Sequence, residues 1–195
     1  AIVLAGGRGS RMGENKLAAE VGGVPIVRRT VAAILEAGFG PVVVVTGHEP
    51  HRVTAALAGL DVRFVHNPDY AQGISTSLKT GIGALDAAVD GAFVVLGDMP
   101  EVPAELYRRM AAAFSPSDGR GIVVPVRGGK RGNPVLWGRQ FFAAVGTAQG
   151  DTGARHLIGE YADAVADVEA GGDAVFTDID TPEALSALRS RLGDA

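Results

Sequence analysis

The chain contains no cysteine among its 195 residues. A disulfide framework and a thiolate metal centre are therefore excluded, and thiol usage says nothing about compartment. No apolar run approaches the roughly 20 residues that a membrane span needs. An excess of positive charge is also missing: 18 Lys and Arg stand against 22 Asp and Glu, a net charge of -4. That is the wrong sign for a general nucleic-acid binder. The chain opens on Ala1 where an initiator Met would stand, which suggests that a few residues precede it. Its start has no basic leader and too short an apolar run for a secretion signal. The expectation is a cytoplasmic protein that engages neither membrane nor nucleic acid.

What is present is a globular composition, 47% hydrophobic and 21% charged. The length suits one domain with a substantial core, so residues 1–195 are read as a single domain. No internal repeat or low-complexity linker interrupts it. Short apolar strands alternate with helical patterns. The expected strands are Ala1–Leu4, Pro41–Thr46, Val62–Val65, Ala92–Leu96, Gly121–Val126 and Ala174–Ile179. The expected helices are Val21–Gly38, Pro50–Leu60, Ser75–Leu85, Pro103–Phe114, Arg139–Val145, Asp151–Tyr161 capped by Asp151, and Thr181–Leu192. Gly128–Pro134 reads as a loop. This alternation predicts an α/β fold with a mostly parallel sheet and helices on both faces. Ligands of such sheets sit beyond the carboxyl ends of the strands. The polar clusters GGRGSRMG, TGHE, HNPD, GDMP and DIDT all fall at expected strand ends.

The opening AIVLAGGRGSRMGENKL puts glycines and cations directly after a strand. Glycines let backbone amides approach an anion closely, and Arg11 and Lys16 add charge-assisted contacts to phosphate. Two familiar phosphate loops are excluded. Lys16 is followed by Leu17, so the Walker pattern fails, and Gly7, Gly9 and Gly13 have the wrong last spacing for a dinucleotide fingerprint. Asp98 follows AFVVLG, at the end of a buried strand, where a hard carboxylate suits Mg²⁺. Asp178 and Asp180 bracket Ile179, and strand alternation puts both on one face. One of them is read as a second metal contact, with Asp178 favoured, and the other as a helix cap. No catalytic role is read into the four histidines, including the spaced pair His48 and His51.

The segments LAGGRGSRMGENKL, NPDYAQGISTSLKTG, GDMPEV, GNPVLW, GDTGAR and DIDTPEAL occur in that order. Together they resemble the MobA-like nucleotidyltransferases, and best the molybdenum cofactor cytidylyltransferase (MocA-like) group, over nearly the whole chain. The resemblance implies a Rossmann-like three-layer α/β sandwich with a mixed, mostly parallel sheet of about seven strands, of the nucleotide-diphospho-sugar transferase type. It implies Mg²⁺-dependent transfer of a nucleoside monophosphate from an NTP to a phosphorylated acceptor, molybdopterin in the MocA-like group, with release of pyrophosphate. A molybdoenzyme or its maturation factor is then a further partner. The resemblance assigns catalysis to Arg11, Lys16 and Asp98. Nucleotide binding falls to Leu4, Ala5, Gly6, Gly7, Arg8, Gly9, Ser10, Arg11, Lys16, Asn67, Gly73, Ser75, Ser77 and Asp98. Metal binding falls to Asp98, Asp178 and Asp180, and the acceptor to Asn133, Pro134, Asp151, Gly153 and Arg155.

Two departures bear on the donor. The cytidylyl group usually opens LAAG, whereas Leu4-Ala5-Gly6-Gly7 is closer to the guanylyl branch; HNPDYAQGISTSL points back to the cytidylyl group. Asn133 stands where histidine is common. CTP is the expected donor, with GTP the alternative. A non-catalytic maturation factor that binds nucleotide or cofactor, and a redox enzyme, are the readings from other classes.

Overall fold

The computed structural model describes residues 1–7, 15–150 and 153–192. The opening apolar run forms β1, Ile2–Ala5, buried along its whole length. It pairs in parallel with β4, Val43–Thr46, on one side and with β6, Gly91–Leu96, on the other. Outside β4 lies β5, Arg63–His66, also parallel. Beyond β6 the sheet changes character. β9, Val135–Gly138, runs antiparallel between β6 and β7, Ile122–Arg127. β10, Val165–Glu169, closes that side parallel to β7. The order is β10-β7-β9-β6-β1-β4-β5, and the short β8, Lys130–Arg131, pairs β7 to make eight strands. β2, Glu20–Val21, and β3, Val24–Pro25, form a separate ribbon.

Pleating sends alternate side chains to opposite faces. Val3, Ala5 and Val44 face one core with α1, Ile26–Glu36, α2, Pro50–Ala56, and α4, Ala104–Ala113. Ile2, Leu4, Val43 and Val45 face the other, with α3, Ile74–Gly83, α5, Phe142–Gly146, and α6, Leu157–Glu160. The expected α/β architecture with helices on both faces is therefore what the chain adopts. α1 shows why: Ile26, Val27, Thr30, Val31 and Ile34 are buried on one stripe. Burying each aliphatic side chain contributes about 1.5–3 kcal/mol. α7, Pro182–Arg191, starts at Thr181, whose hydroxyl accepts the Ala184 N–H, and packs Leu185 and Leu188 on Ile179 and Ile26. Among the described residues no helix is long and apolar enough to cross a membrane.

Several sequence expectations need correction. The helix expected from Val21 starts at Ile26, because Gly22 and Gly23 at φ 60 and 68 turn the β2–β3 ribbon first. The loop Gly128–Pro134 contains β8. VLWG and VADVE are strands that periodicity had not marked, each only four or five residues long. Arg139–Val145 divides into a 3-10 turn, Arg139–Phe141, and then α5. The helix expected at Asp151–Tyr161 is α6 alone among the described residues, and Asp151 lies outside them. Most consequentially, Ala174–Ile179 is not a strand. It is a 3-10 turn, Asp173–Phe176, followed by irregular chain. The edge beside β7 already belongs to β10, so Val175 is buried by a 3-10 turn and Ile179 by packing against Ile26 and Leu188, without strand pairing.

Candidate functional site

β1 and β6 end side by side. The Gly97 N–H donates to the Leu4 carbonyl at 3.0 Å, extending the pairing one residue past β6. Thr30 Oγ1 donates to the Gly97 carbonyl at 3.1 Å, tying α1 to the same turn. Asp98 therefore emerges next to Gly6 and is only 9% exposed. The chain returns there much later: the Ile179 N–H donates to the Asp98 carbonyl at 3.1 Å, and the Ile179 side chain is fully buried. With Ile179 anchored inward, its neighbours Asp178 and Asp180 both reach Asp98. One carboxylate oxygen from each of the three lies within 4.8 Å of the others.

Lys16 enters from the opposite side. Asn15 Oδ1 accepts the Leu17 N–H and starts a short 3-10 turn, Lys16–Ala18. Lys16 Nζ then donates to Asp98 Oδ2 at 2.5 Å and to Asp180 Oδ1. Burial alone would lower the Lys16 pKa, but the Asp98 and Asp180 carboxylates outweigh it and hold it above the ordinary lysine value. Partial desolvation of an otherwise exposed side chain, followed by the neighbouring Asp180 and Asp98, raises the Asp178 pKa. Asp98 Oδ1 is buried and, among the described residues, has no hydrogen-bond partner. A buried carboxylate oxygen without a donor is costly, and a hard divalent cation held by three carboxylates would satisfy it. The residues fit such an ion. Among the described residues no other cluster of three or more His, Asp or Glu offers comparable ligation.

A cavity of about 390 Å³ opens over the triad. Of the residues that the resemblance implies, Leu4, Gly6, Gly7, Lys16, Gly73, Ser77 and all three carboxylates lie around it. Tyr70, Ala71 and Ile74 also line it; they lie in the Asn67–Ser77 segment that the resemblance sets by base and ribose, without having been singled out there, and Leu17 and Leu96 join them. A Cβ on Gly47 would lie 2.5 Å from Tyr70 Cβ and 2.7 Å from the Gly6 carbonyl, so only glycine lets Tyr70 close over the end of β1. That glycine, in the TGHE turn, was the available signal. Asn67 acts behind the wall: its Nδ2 donates to Thr76 Oγ1 at 2.8 Å and Ser77 Oγ at 2.9 Å, fixing the start of α3. Ser75 is buried there, and Ala5 is buried in the sheet.

An adjoining cavity of about 150 Å³ shares Leu4, Ile74 and Leu96 and adds Trp137, Asn133, Gly153 and Arg155. Three of the expected acceptor residues therefore meet next to the triad, while Pro134 is buried. Arg8, Gly9, Ser10, Arg11 and Asp151 lie outside the described residues.

A mostly parallel sheet whose strand ends bring a glycine turn, a lysine and a carboxylate cluster under one cavity is an α/β architecture of the kind that takes ligands at that edge. The chain belongs to the MobA-like NTP transferase domain family, whose pattern matches residues 1–165, and it is a nucleotidyltransferase. It is 26% identical to the molybdenum cofactor cytidylyltransferase of Escherichia coli K12 over 193 residues, covering 97% of this chain and 95% of that one. It is 30% identical over 210 residues to a probable molybdenum cofactor guanylyltransferase of Natronomonas pharaonis, covering 98% and 96%. Among solved structures, a nucleotidyl transferase from Methanothermobacter thermautotrophicus superposes with a TM-score of 0.86 at 28% identity, covering 98% and 95%.

Proposed function

We propose that this nucleotidyltransferase, working as one cytoplasmic domain, moves a cytidylyl group from CTP to the phosphate of molybdopterin or molybdenum cofactor. The observation that carries this reading is the convergence of Lys16 with Asp98, Asp178 and Asp180 at the end of β1 and β6. An acceptor phosphate oxygen attacks the α-phosphorus of CTP. A new phosphoanhydride bond forms, the bond from the α-phosphorus to the β-phosphate oxygen breaks, and pyrophosphate leaves with the electron pair. The attacking phosphate is already ionised, so no general base is needed, which agrees with a site without histidine. Such transfers depend on alignment and charge neutralisation.

In this reading Asp98, Asp178 and Asp180 would hold Mg²⁺, which when bound supplies positive charge to the triphosphate. Lys16 hands its ammonium to the phosphates, together with Arg11 and the backbone of residues 4–10. The wall of Tyr70, Gly73 and Ser77, braced by Asn67 and Ser75, receives base and ribose. Asn133, Pro134, Asp151, Gly153 and Arg155 form the acceptor side, and the product passes to a molybdoenzyme or its maturation factor. GTP is the second reading, favoured by Gly6-Gly7 and by the guanylyltransferase relative.

Thermal unfolding with CTP, GTP, ATP, UTP and NADPH, each with and without Mg²⁺, tests the donor. A ligand at about 100 times its dissociation constant adds about 2.7 kcal/mol. A Mg²⁺-dependent shift with CTP, followed by pyrophosphate release on adding molybdopterin, is the expected result. A shift with GTP alone moves the assignment to guanylyl transfer. A shift with NADPH alone defeats it.

A further inference from the structure

Past the carboxylates the surface continues as a trough. Its first chamber, about 250 Å³, begins at Asp178 and is lined by Met99, Asn133, Arg155 and Phe176. Its second, about 540 Å³, shares Arg155 and Phe176 and extends to Lys130, Arg131 and Asp167. A molecule with one end at the triad can therefore run over Phe176 toward Lys130.

Phe176 is 40% exposed, so an aromatic face is left to water inside this trough. The ring is nevertheless carried on a fixed support. Val175, beside it, is buried and its carbonyl accepts the Asn133 N–H at 2.9 Å. Arg127 Nε donates to Asp173 Oδ1 at 2.6 Å at the start of the same turn. The charges around the ring are unequal. Arg131 is paired with Asp167 through contacts of 2.8 and 3.2 Å. Arg155 donates to the neutral Arg131 carbonyl at 2.7 Å. Among the described residues neither Arg155 nor Lys130 has a carboxylate within ion-pair distance. Two cations without a carboxylate partner among the described residues thus line the trough with an uncovered ring. That pairing suits a flat heterocycle carrying an anionic group, the ring stacked on Phe176 and the anion held by guanidinium and ammonium.

We infer that the trough is the seat of the acceptor's body, and that Phe176 and Lys130, with Arg155, select a planar, anionic heterocycle whose phosphate points to the triad. An acyclic or simple sugar phosphate leaves Phe176 and Lys130 uncontacted. The inference rests on the reading that transfer occurs at the triad.

Pterin-6-carboxylate, a fluorescent flat ring with one carboxylate, is the probe, titrated into the full chain with and without CTP. Saturable binding is expected. Phe176→Ala should weaken it about tenfold, in line with loss of one aromatic stack, and Phe176→Trp should restore it. Lys130→Gln should weaken it severalfold and flatten its salt dependence. CTP should leave it in place. Unfolding temperatures should be unchanged, since both side chains are exposed. The inference is overturned if wild type does not bind, if both variants bind like wild type, or if CTP competes with the probe. Binding that depends on Phe176 without any transfer to molybdopterin sinks the transfer reading alone. Transfer whose acceptor KM is untouched by Phe176→Ala sinks the trough alone.

Discussion

The two halves of the sheet are held together differently. β6, β1, β4 and β5 are parallel neighbours, and the segments after β1, β5 and β6 line the cavity of about 390 Å³. Parallel strands put their carboxyl ends on one edge whatever the helices between them do. In the other half β9 runs backwards and β10 is half exposed. There the functional side chains are positioned by packing between segments distant in sequence: the 132–133 turn against the 173–176 turn, and Arg155 against the Arg131 carbonyl. The cavity over the carboxylates follows from topology, and the trough beyond it from a few tight contacts.

The sharpest way to test that contrast is at the seam. Asp98→Ala should lower turnover roughly a thousandfold, the scale of removing a preorganised charged group, while the unfolding temperature holds, because its unpartnered oxygen leaves with it. Unchanged turnover would remove Asp98 from the chemistry. Lys16→Met should cost roughly a hundredfold in kcat/KM for CTP. In the same variant Mn²⁺ alone should bind more tightly, since no ammonium competes for Asp98 and Asp180; weaker Mn²⁺ binding in calorimetry would refute this.

A paired substitution then separates the halves. A Cβ on Gly47 meets Tyr70 at 2.5 Å, and one on Gly132 meets the Val175 carbonyl at 2.5 Å. Each alanine variant should lose about 1–3 kcal/mol of stability through overpacking. Gly47→Ala should raise KM for the nucleotide and Gly132→Ala KM for the acceptor. If both raise the same KM, the division into donor and acceptor halves is wrong.

The smallest effect concerns pH. The raised Asp178 pKa means that the folded chain binds this proton more tightly than the unfolded chain. Its stabilising contribution is present below the unfolded value of about 3.9 and is lost as pH rises through the higher folded value. Asp178→Asn should therefore raise the unfolding temperature slightly at neutral pH, with the difference fading in acid. The effect is modest because Asp178 is exposed. A difference that grows in acid would reverse the sign argument.

How much of this was legible in sequence divides along the same line. Long helices and the fully apolar strands of the parallel half came out within a few residues, since VVVV and the stripe of α1 each bury a regular face. β9 and β10 did not: β1 and β4 are as short, but they are β-branched apolar runs, whereas VLWG has a single β-branched residue and ends in Gly, and VADVE carries two carboxylates and is not fully buried anywhere. The acidic pair around Ile179 was grouped correctly although the strand behind that argument does not form. Ile179 turning inward is enough to turn both neighbours outward. Gly6, Gly7, Lys16 and Asp98 were visible as strand-end chemistry. Tyr70 lay in a segment already set beside the site but was not singled out, because its position depends on the missing side chain at Gly47.

The sequence by itself determined the alternation of strands and helices, the glycine and lysine turn, and carboxylates at chain segments bound for one sheet edge, because these follow from local pattern and residue chemistry. Only the tertiary structure decided that Lys16 meets Asp98, 82 positions away, and Asp180, 164 positions away. Those contacts arise when Ile179 is driven into the core and its N–H finds the Asp98 carbonyl, and burial of that kind is a property of the packed molecule.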